Sequence, residues 1–303
     1  MIDETIHLQN PPSQILPIPQ NPFFEFSHVG LHDQTISRIV PPPPALTGTL
    51  PQIRNENYWI NSALYLEFGG GSGRGPVLES LSVTGKSTLI LGSNSPRRRQ
   101  LLALTGWKFH VSAADVDESS YENESPADYV LRLAEEKARA IKADADQIVL
   151  AADTAVVDGN DILGKPKDSA EAITMLERLR GHTHQVYTGV AVLRRSDGLL
   201  QKSLCVTDVP MRDYSDEEIH VYVQTGDPLD KAGAYAIQHP QFQPVDLTSM
   251  DGCYASVMGL PVCHVIRLMR QMDIQPNTDF FRSCETVLEY QCPVSNGILS
   301  AEI

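Results

Sequence analysis

The strongest constraint on the fold is the stretch Leu89-Ile90-Leu91-Gly92-Ser93-Asn94-Ser95-Pro96-Arg97-Arg98-Arg99-Gln100-Leu101-Leu102. An apolar run enters a turn of small residues, and a helix start follows. Ser95 is a good N-cap, and Pro96 suits the first helical position, where its missing N–H costs nothing. Arg97, Arg98 and Arg99 then fall in the first helical turn with no acid among them. Unpaired N–H groups and the helix dipole already make that end positive, so cations there are unfavourable on their own. They make sense where an anion docks, because a strand, a tight turn and a helix N-terminus together form a phosphate site. A solvated basic turn is the plain alternative.

From residue 87 onward the alternation continues. Strand patterns at 88–91, 107–111 and 147–152 are interleaved with helix patterns at 96–104 and 125–142. The second helix carries Ala127, Leu131, Ala134, Ala138 and Ile141 as its apolar stripe. A helix at 169–180 stops at Gly181. Strands at 186–193 and 203–211 pair around Ser196-Asp197-Gly198, and a short acidic helix spans 215–225. A small-residue segment at 230–238, a strand at 254–258 and a helix at 261–272 follow. This order predicts an α/β fold with a mixed sheet and flanking helices.

Residues 1–86 have a different composition. They hold Pro11-Pro12, the run Pro41 to Pro44 and Gly69-Gly70-Gly71-Ser72-Gly73-Arg74-Gly75, which favour extended or flexible chain. Only the piece from Asn57-Tyr58-Trp59-Ile60 to Tyr65-Leu66-Glu67-Phe68 could form an element. The glycine run misses G-x-G-x-x-G. Gly85-Lys86-Ser87 lacks the first glycine of a P-loop, where Ser80 stands. The domain reading is therefore a poorly ordered Pro/Gly-rich extension at 1–86, a folded domain at 87–274 and a tail of undefined order at 275–303.

The net charge of −14 excludes a general attraction to nucleic acid or an anionic membrane. An anionic ligand needs a local basic pocket. No run is apolar enough to span a bilayer, and Met1-Ile2-Asp3-Glu4 does not begin a signal peptide. The five cysteines, Cys205, Cys253, Cys263, Cys284 and Cys292, lack CxxC pairing and predict reduced thiols in a cytoplasmic protein, a C-terminal metal or disulfide being the minority option.

Several charged residues are candidates for chemistry. Asp153 ends the strand read at 147–152, and ligands of open α/β sheets sit beyond the carboxyl ends of strands. It suits a general base or metal ligand, with a turn aspartate as the alternative. Asp115, Asp117 and Glu118 form an acidic loop that suits Mg²⁺ with phosphate oxygens, or simply a solvated loop. Glu135 and Glu136 can pair with Arg139 and Arg132 along their helix, whereas Lys137 has no such partner and either points into a cleft or reaches water. Lys165, between Gly164 and Pro166, is presented by a rigid turn. Lys231 precedes Ala232-Gly233-Ala234, which permits close backbone approach by a ligand. His182 and His184 lack a third metal ligand, which favours surface or packing roles.

Taken together, these segments resemble the Maf family of nucleoside triphosphate pyrophosphatases. The matching pieces are Ser93-Asn94-Ser95-Pro96-Arg97-Arg98, Leu133-Ala134-Glu135-Glu136-Lys137-Ala138, Ala152-Asp153-Thr154, Gly164-Lys165-Pro166, Tyr187-Thr188-Gly189, the run Asp230-Lys231-Ala232-Gly233-Ala234-Tyr235-Ala236-Ile237-Gln238, and Val257-Met258-Gly259-Leu260-Pro261. They occur in the family's order over about residues 88–272. Gln100, where many relatives carry glutamate, and His239-Pro240-Gln241-Phe242, where a glycine-rich continuation is usual, depart from the pattern.

The resemblance implies an elongated mixed α/β fold like that of the inosine triphosphate pyrophosphatases, with two lobes around a central cleft. It implies hydrolysis of a nucleoside triphosphate to the monophosphate and pyrophosphate with a divalent cation, Mg²⁺ or Mn²⁺. By position, Ser93, Arg97, Arg98, Lys137 and Lys165 would hold the triphosphate, with Lys137 and Lys165 counted in the catalytic set. Asp153 would be the general base or a metal-linked carboxylate, Glu118 a metal ligand, and Thr154 and Gln238 readers of the base. The Ala-Tyr-Ala-Ile-Gln segment is similar to the subgroup acting on dTTP and UTP. The competing readings are a non-catalytic nucleotide-binding, septum-related interaction protein and a purine-directed enzyme acting on ITP or XTP. The expected partner is the nucleotide alone, without nucleic acid or membrane, and a homodimer stays open.

Overall fold

Two strands of 12 residues dominate the sheet, and everything that bears on the site is arranged around the first of them. The computed structural model describes residues 88–300; the extension read at 1–86 and its segment around Trp59 lie outside the described residues. The strands are β1 (Thr88–Leu91), β2 (Phe109–Val111), β3 (Gln147–Asp158), β4 (Asp161–Leu163), β5 (Thr183–Arg194) and β6 (Leu200–Pro210). The sheet order is β2-β1-β3-β5-β6, with β4 also on β3. β1 runs parallel to β2 and β3, and the remaining pairs are antiparallel, as expected for a mixed sheet.

The helices are α1 (Pro96–Ala103), α2 (Pro126–Ala140), α3 (Ser169–Leu179), α4 (Asp216–Gln224), α5 (Tyr254–Val257), α6 (Val262–Arg270), α7 (Phe280–Leu288) and α8 (Ser295–Ser300). Ser95 and Ser125 cap α1 and α2, each followed by proline, as their sequences dictate. Ser215 and Glu218 close a capping box on α4. None of the helices among the described residues is long and apolar enough to cross a membrane.

Alternation along β3 divides the core. Ile148, Leu150, Ala152 and Val156 join the main core with Leu101, Leu102, Leu176 and Leu260. Val149, Ala151, Ala155 and Val157 face α2, packing with Val130, Ala134, Ala138 and Ile141. α2 lies very close to β5. A Cβ on Gly189 would fall on the carbonyl of Val130, so only glycine permits this approach.

Two readings are corrected. The strand expected to stop before Asp153 continues to Asp158, because Thr154-Ala155-Val156-Val157 is β-prone and β5 pairs with β3 from Ile148 to Val157. Asp153 is therefore inside a strand rather than at its end. Its opening comes from the other edge of β3. β1 pairs there only up to Leu150 and β4 only from Val156, so residues 151–155 face no strand. The strand expected at 254–258 is the short helix α5, whose turn closes through Val257 N–H to Cys253 O and Met258 N–H to Tyr254 O.

Residues 275–300 add α7 and α8. Phe280 is buried, and Trp107 Nε1 donates to Gln275 O at 2.8 Å.

Candidate active site

The gap in the edge of β3 opens into a cavity of about 760 Å³, within the range of small-molecule sites. Ser93, Arg97, Arg98, Glu118, Lys137, Asp153, Thr154, Lys165 and Gln238 all line it, so the nine residues to which the resemblance gives roles are brought to one place, whereas Asp115, Asp117, His182 and His184 do not line it. In a chain of net charge −14, this wall carries Arg97, Arg98, Lys137, Lys165 and Lys231 against Glu118, Asp153 and Asp230.

Asp153 and Thr154 are neighbours on β3 and point to opposite faces of the sheet. On the α2 face, Lys137 Nζ donates to Asp153 Oδ1 at 2.6 Å and to Glu118 Oε1 at 2.5 Å. The lysine without a helical partner is thus held between two carboxylates. Asp153 is 7% exposed. Burial pushes its carboxyl above the usual range, although Lys137 and Arg98 pull it back. Glu118 is far more open, and the hydrogen bond from Lys137 holds it below the usual range.

On the other face, the Arg98 guanidinium is tied into the protein. Nε donates to Gly259 O at 2.8 Å, Nη2 to Thr154 Oγ1 at 3.2 Å and Nη1 to Ser93 Oγ at 3.3 Å. Burial draws Arg98 down from its ordinary value, opposed by Asp153. Thr154 Oγ1 also shares a hydrogen bond with Thr188 Oγ1 at 3.0 Å, and Thr188 donates to Ser256 O. Arg98 and Thr154 therefore brace the cavity as well as line it. Arg97 is half-buried and Lys165 exposed, and neither side chain pairs with another described residue. Arg99 faces solvent.

Lys231 is neutralised on its own turn by Asp227 Oδ1 at 2.9 Å and Asp230 Oδ1 at 2.7 Å. The small residues after it serve close backbone packing: Gly233, at φ 68°, donates to Gly164 O at 3.1 Å. Gln238 lines the cavity, but the segment beyond it turns away. Phe242 stacks on Tyr222 with ring centres 4.4 Å apart, and His239 meets Tyr222 edge-on. His184 is a packing residue that bonds the Tyr235 hydroxyl at 2.9 Å, whereas His182 meets Asp158 at the surface.

Sequence reasoning missed two residues. Arg132 makes the expected pair with Glu136, but its tighter bonds go to Glu124, at 2.6 and 2.7 Å, and to Ser119 O at 3.0 Å. Tyr129 donates to Glu118 O at 2.9 Å. Together they pin the loop that carries Glu118 to α2. No local spacing announces these contacts, since Arg132 and Glu124 are joined across the start of the helix.

A dTTP/UTP pyrophosphatase of Geobacter sulfurreducens is 46% identical over 189 residues, covering 62% of this chain and 97% of that protein. A dTTP/UTP pyrophosphatase of Hahella chejuensis is 44% identical over 195 residues, covering 63% and 95%. Among solved structures, the Staphylococcus aureus Ham1 protein aligns with 42% of this chain and 73% of its own, at 15% identity and a TM-score of 0.32. The family described as Maf-like protein matches residues 88–272, which hold the whole cavity wall. With that match, the chain belongs to the Maf family.

Proposed function

We propose that this chain hydrolyses a nucleoside triphosphate to the monophosphate and pyrophosphate, with dTTP and UTP as its substrates. The observation that carries the reading is Asp153, a buried carboxylate of raised pKa that touches an ammonium inside a cation-lined cavity. The relatives named dTTP/UTP pyrophosphatase support the reaction and the pyrimidine preference, and they do not favour the purine-directed or non-catalytic readings.

The roles follow from availability. Arg97 and Lys165, with no partner among the described residues, bind the phosphate tail, since arginine forks and lysines match phosphate oxygens. Ser93 and Arg98 shape the turn on which that tail rests. Gln238, whose side-chain amide meets no partner among the described residues, reads the base beside Thr154. Asp153 takes the proton from the attacking water, and its upward shift makes it a better base near neutral pH. Lys137 orients Asp153 and offsets charge as it builds on phosphorus.

A divalent cation fits this wall. Glu118 and Asp153 present hard oxygen donors to one shared positive centre, now Lys137 Nζ. Mg²⁺ takes one or two carboxylates and completes its shell with substrate phosphate and water, which two carboxylates at one point of the wall would suit. When bound, Mg²⁺ or Mn²⁺ supplies charge neutralisation on the phosphate oxygens.

The test is a nucleotide panel with Mg²⁺ or Mn²⁺, read by pyrophosphate release. dTTP or UTP should turn over fastest. A preference for ITP or XTP would overturn the pyrimidine assignment, and binding of nucleotides without turnover of any would overturn the reaction.

A further inference from the structure

The chain carries five cysteines, and the fold gathers them at one place that the reaction does not use. Cys205 is on β6, Cys253 precedes α5, Cys263 is in α6, Cys284 is in α7 and Cys292 lies between α7 and α8. All five are free thiols. Cys253, Cys263, Cys284 and Cys292 line a small cavity together with Tyr254, Tyr290 and other residues of the same helices. Two of these thiols come from residues 275–300, beyond the part of the chain that matches the family.

Cys253 and Cys292 both line that cavity, the first from the residue before α5 and the second from the link between α7 and α8. The segment bearing Cys292 is already fastened beside Cys253. The Tyr290 hydroxyl donates to Met250 O at 2.9 Å and Gly252 O at 3.1 Å, and its ring packs on Tyr254 at 5.6 Å. Cys292 N–H donates to Glu285 Oε1 at 3.2 Å.

We propose that Cys253 and Cys292 form an oxidisable dithiol site whose substrate is a small hydroperoxide and whose product is a disulfide joining the C-terminal segment to the core. Cys292 is the attacking residue because solvent reaches it, whereas Cys253 and Cys205 are buried. Its thiol is drawn down by the neighbouring Cys253, with help from the backbone around Val294 and Ser295 and against its partial burial. Thiolate is the form that reacts, and a lowered thiol supplies more of it. Its sulfur attacks the O–O bond, giving a sulfenic acid and releasing the alcohol, or water when the oxidant is hydrogen peroxide. Cys253 then attacks the Cys292 sulfur. The S–O bond breaks, the S–S bond forms, and hydroxide leaves with the Cys253 proton as water. Two thiols and one hydroperoxide give one disulfide, one alcohol and one water. Its neighbours Cys205 and Cys292, and after them burial, hold Cys253 well up, which suits a residue that resolves the intermediate rather than starts the reaction.

The bond would have a route to the nucleotide cavity. Cys253 leads directly into α5, whose end supplies Ser256 O to Thr188 and, at the following turn, Gly259 O to Arg98. Closing the disulfide fixes the start of the segment whose end holds the arginine.

The experiment uses the full reduced chain. It is treated with a small excess of hydrogen peroxide, alkylated, digested with trypsin without reduction and read by mass spectrometry. The expected product links peptide 232–267 to peptide 283–303 with loss of two hydrogens. It should vanish in Cys292→Ser and Cys253→Ser and persist in Cys263→Ser and Cys284→Ser. The oxidised chain should melt about 5–10 °C above the reduced chain, a gain reversed by dithiothreitol. Cys292→Ser sits at a half-buried position and serves if Cys253→Ser does not fold. A link between peptide 203–212 and peptide 232–267, persistence of the product in Cys292→Ser, oxygen addition without a crosslink, or no modification would each overturn the proposal.

Discussion

The two faces of β3 at its open edge are built on opposite principles. On the α2 face, one ammonium is shared by a buried and an exposed carboxylate. On the other, Arg98 is spent on a carbonyl and two hydroxyls, and the hydroxyl of Thr154 is further committed to Thr188. The first face holds the charges to which the proposed function gives the proton transfer. The second is a closed polar network that fixes the arginine turn relative to the sheet. A site of this kind separates the group that reacts from the group that keeps the walls in place, although both come from adjacent residues of one strand.

This contrast is open to attack by substitution and by pH. The largest effect is expected on the reactive face: Asp153→Asn should lower turnover by about 100- to 10,000-fold while nucleotide binding persists in calorimetry. Stability should move the other way. A carboxyl whose folded pKa is raised stabilises only below its unfolded value and loses that contribution as pH rises through its folded one. At neutral pH the variant should therefore melt no lower than the parent. Wild-type turnover in Asp153→Asn would remove the distinction between the faces.

On the bracing face, His184 supplies an acid-sensitive counterpart. Burial lowers it to about 4, so the fold is stabilised by neutral imidazole above the unfolded value near 6.5 and loses that stability as pH falls from about 6.5 to about 4. The loss should reach about 3 kcal/mol in denaturant titrations across that window. His184→Gln should flatten that part of the profile, and an unchanged profile would show that this face carries no such titration.

Arg98→Ala should cost about 2 kcal/mol in stability, because the Gly259 carbonyl and two hydroxyls lose their donor. Its activity should fall along with its stability. Arg97→Ala should instead raise KM about tenfold with an unchanged melting temperature, and Arg99→Ala should alter both within about twofold. Equal effects of the three alanines would mean that the turn is not divided between bracing, binding and solvent.

Much of this site was readable because its local chemistry was unusual. Arginines in a helix's first turn suggested an anion site or a solvated turn, and a lysine without an i,i+4 partner suggested a cleft or a reach to water. Both expectations concern charges that the local chain cannot satisfy. The errors came where tertiary pairing decides. β3 runs through Asp153 because β5 lies beside it for ten residues, and α5 is helical although its residues suit a strand. Arg98 as a brace could not be foreseen from its own segment, since its partners Thr154 and Gly259 are 56 and 161 residues away. The pinning of Glu118 through Arg132 and Tyr129 was hidden for the same reason, at shorter range.

Gly189 stands directly across from Asp153 in the β3–β5 ladder, with the backbone of α2 seated against its Cα. Position 189 thus gauges the separation between helix and strand, and so the reach of Lys137 to Asp153. One added methyl group, carrying no charge and touching no reactive atom, would push the helix outward and take the ammonium with it. The smallest change in the genetic repertoire, placed at a residue without a side chain, would then be felt at the Asp153 carboxylate. Drift at this position is constrained by distance alone, independently of any chemistry the residue could offer.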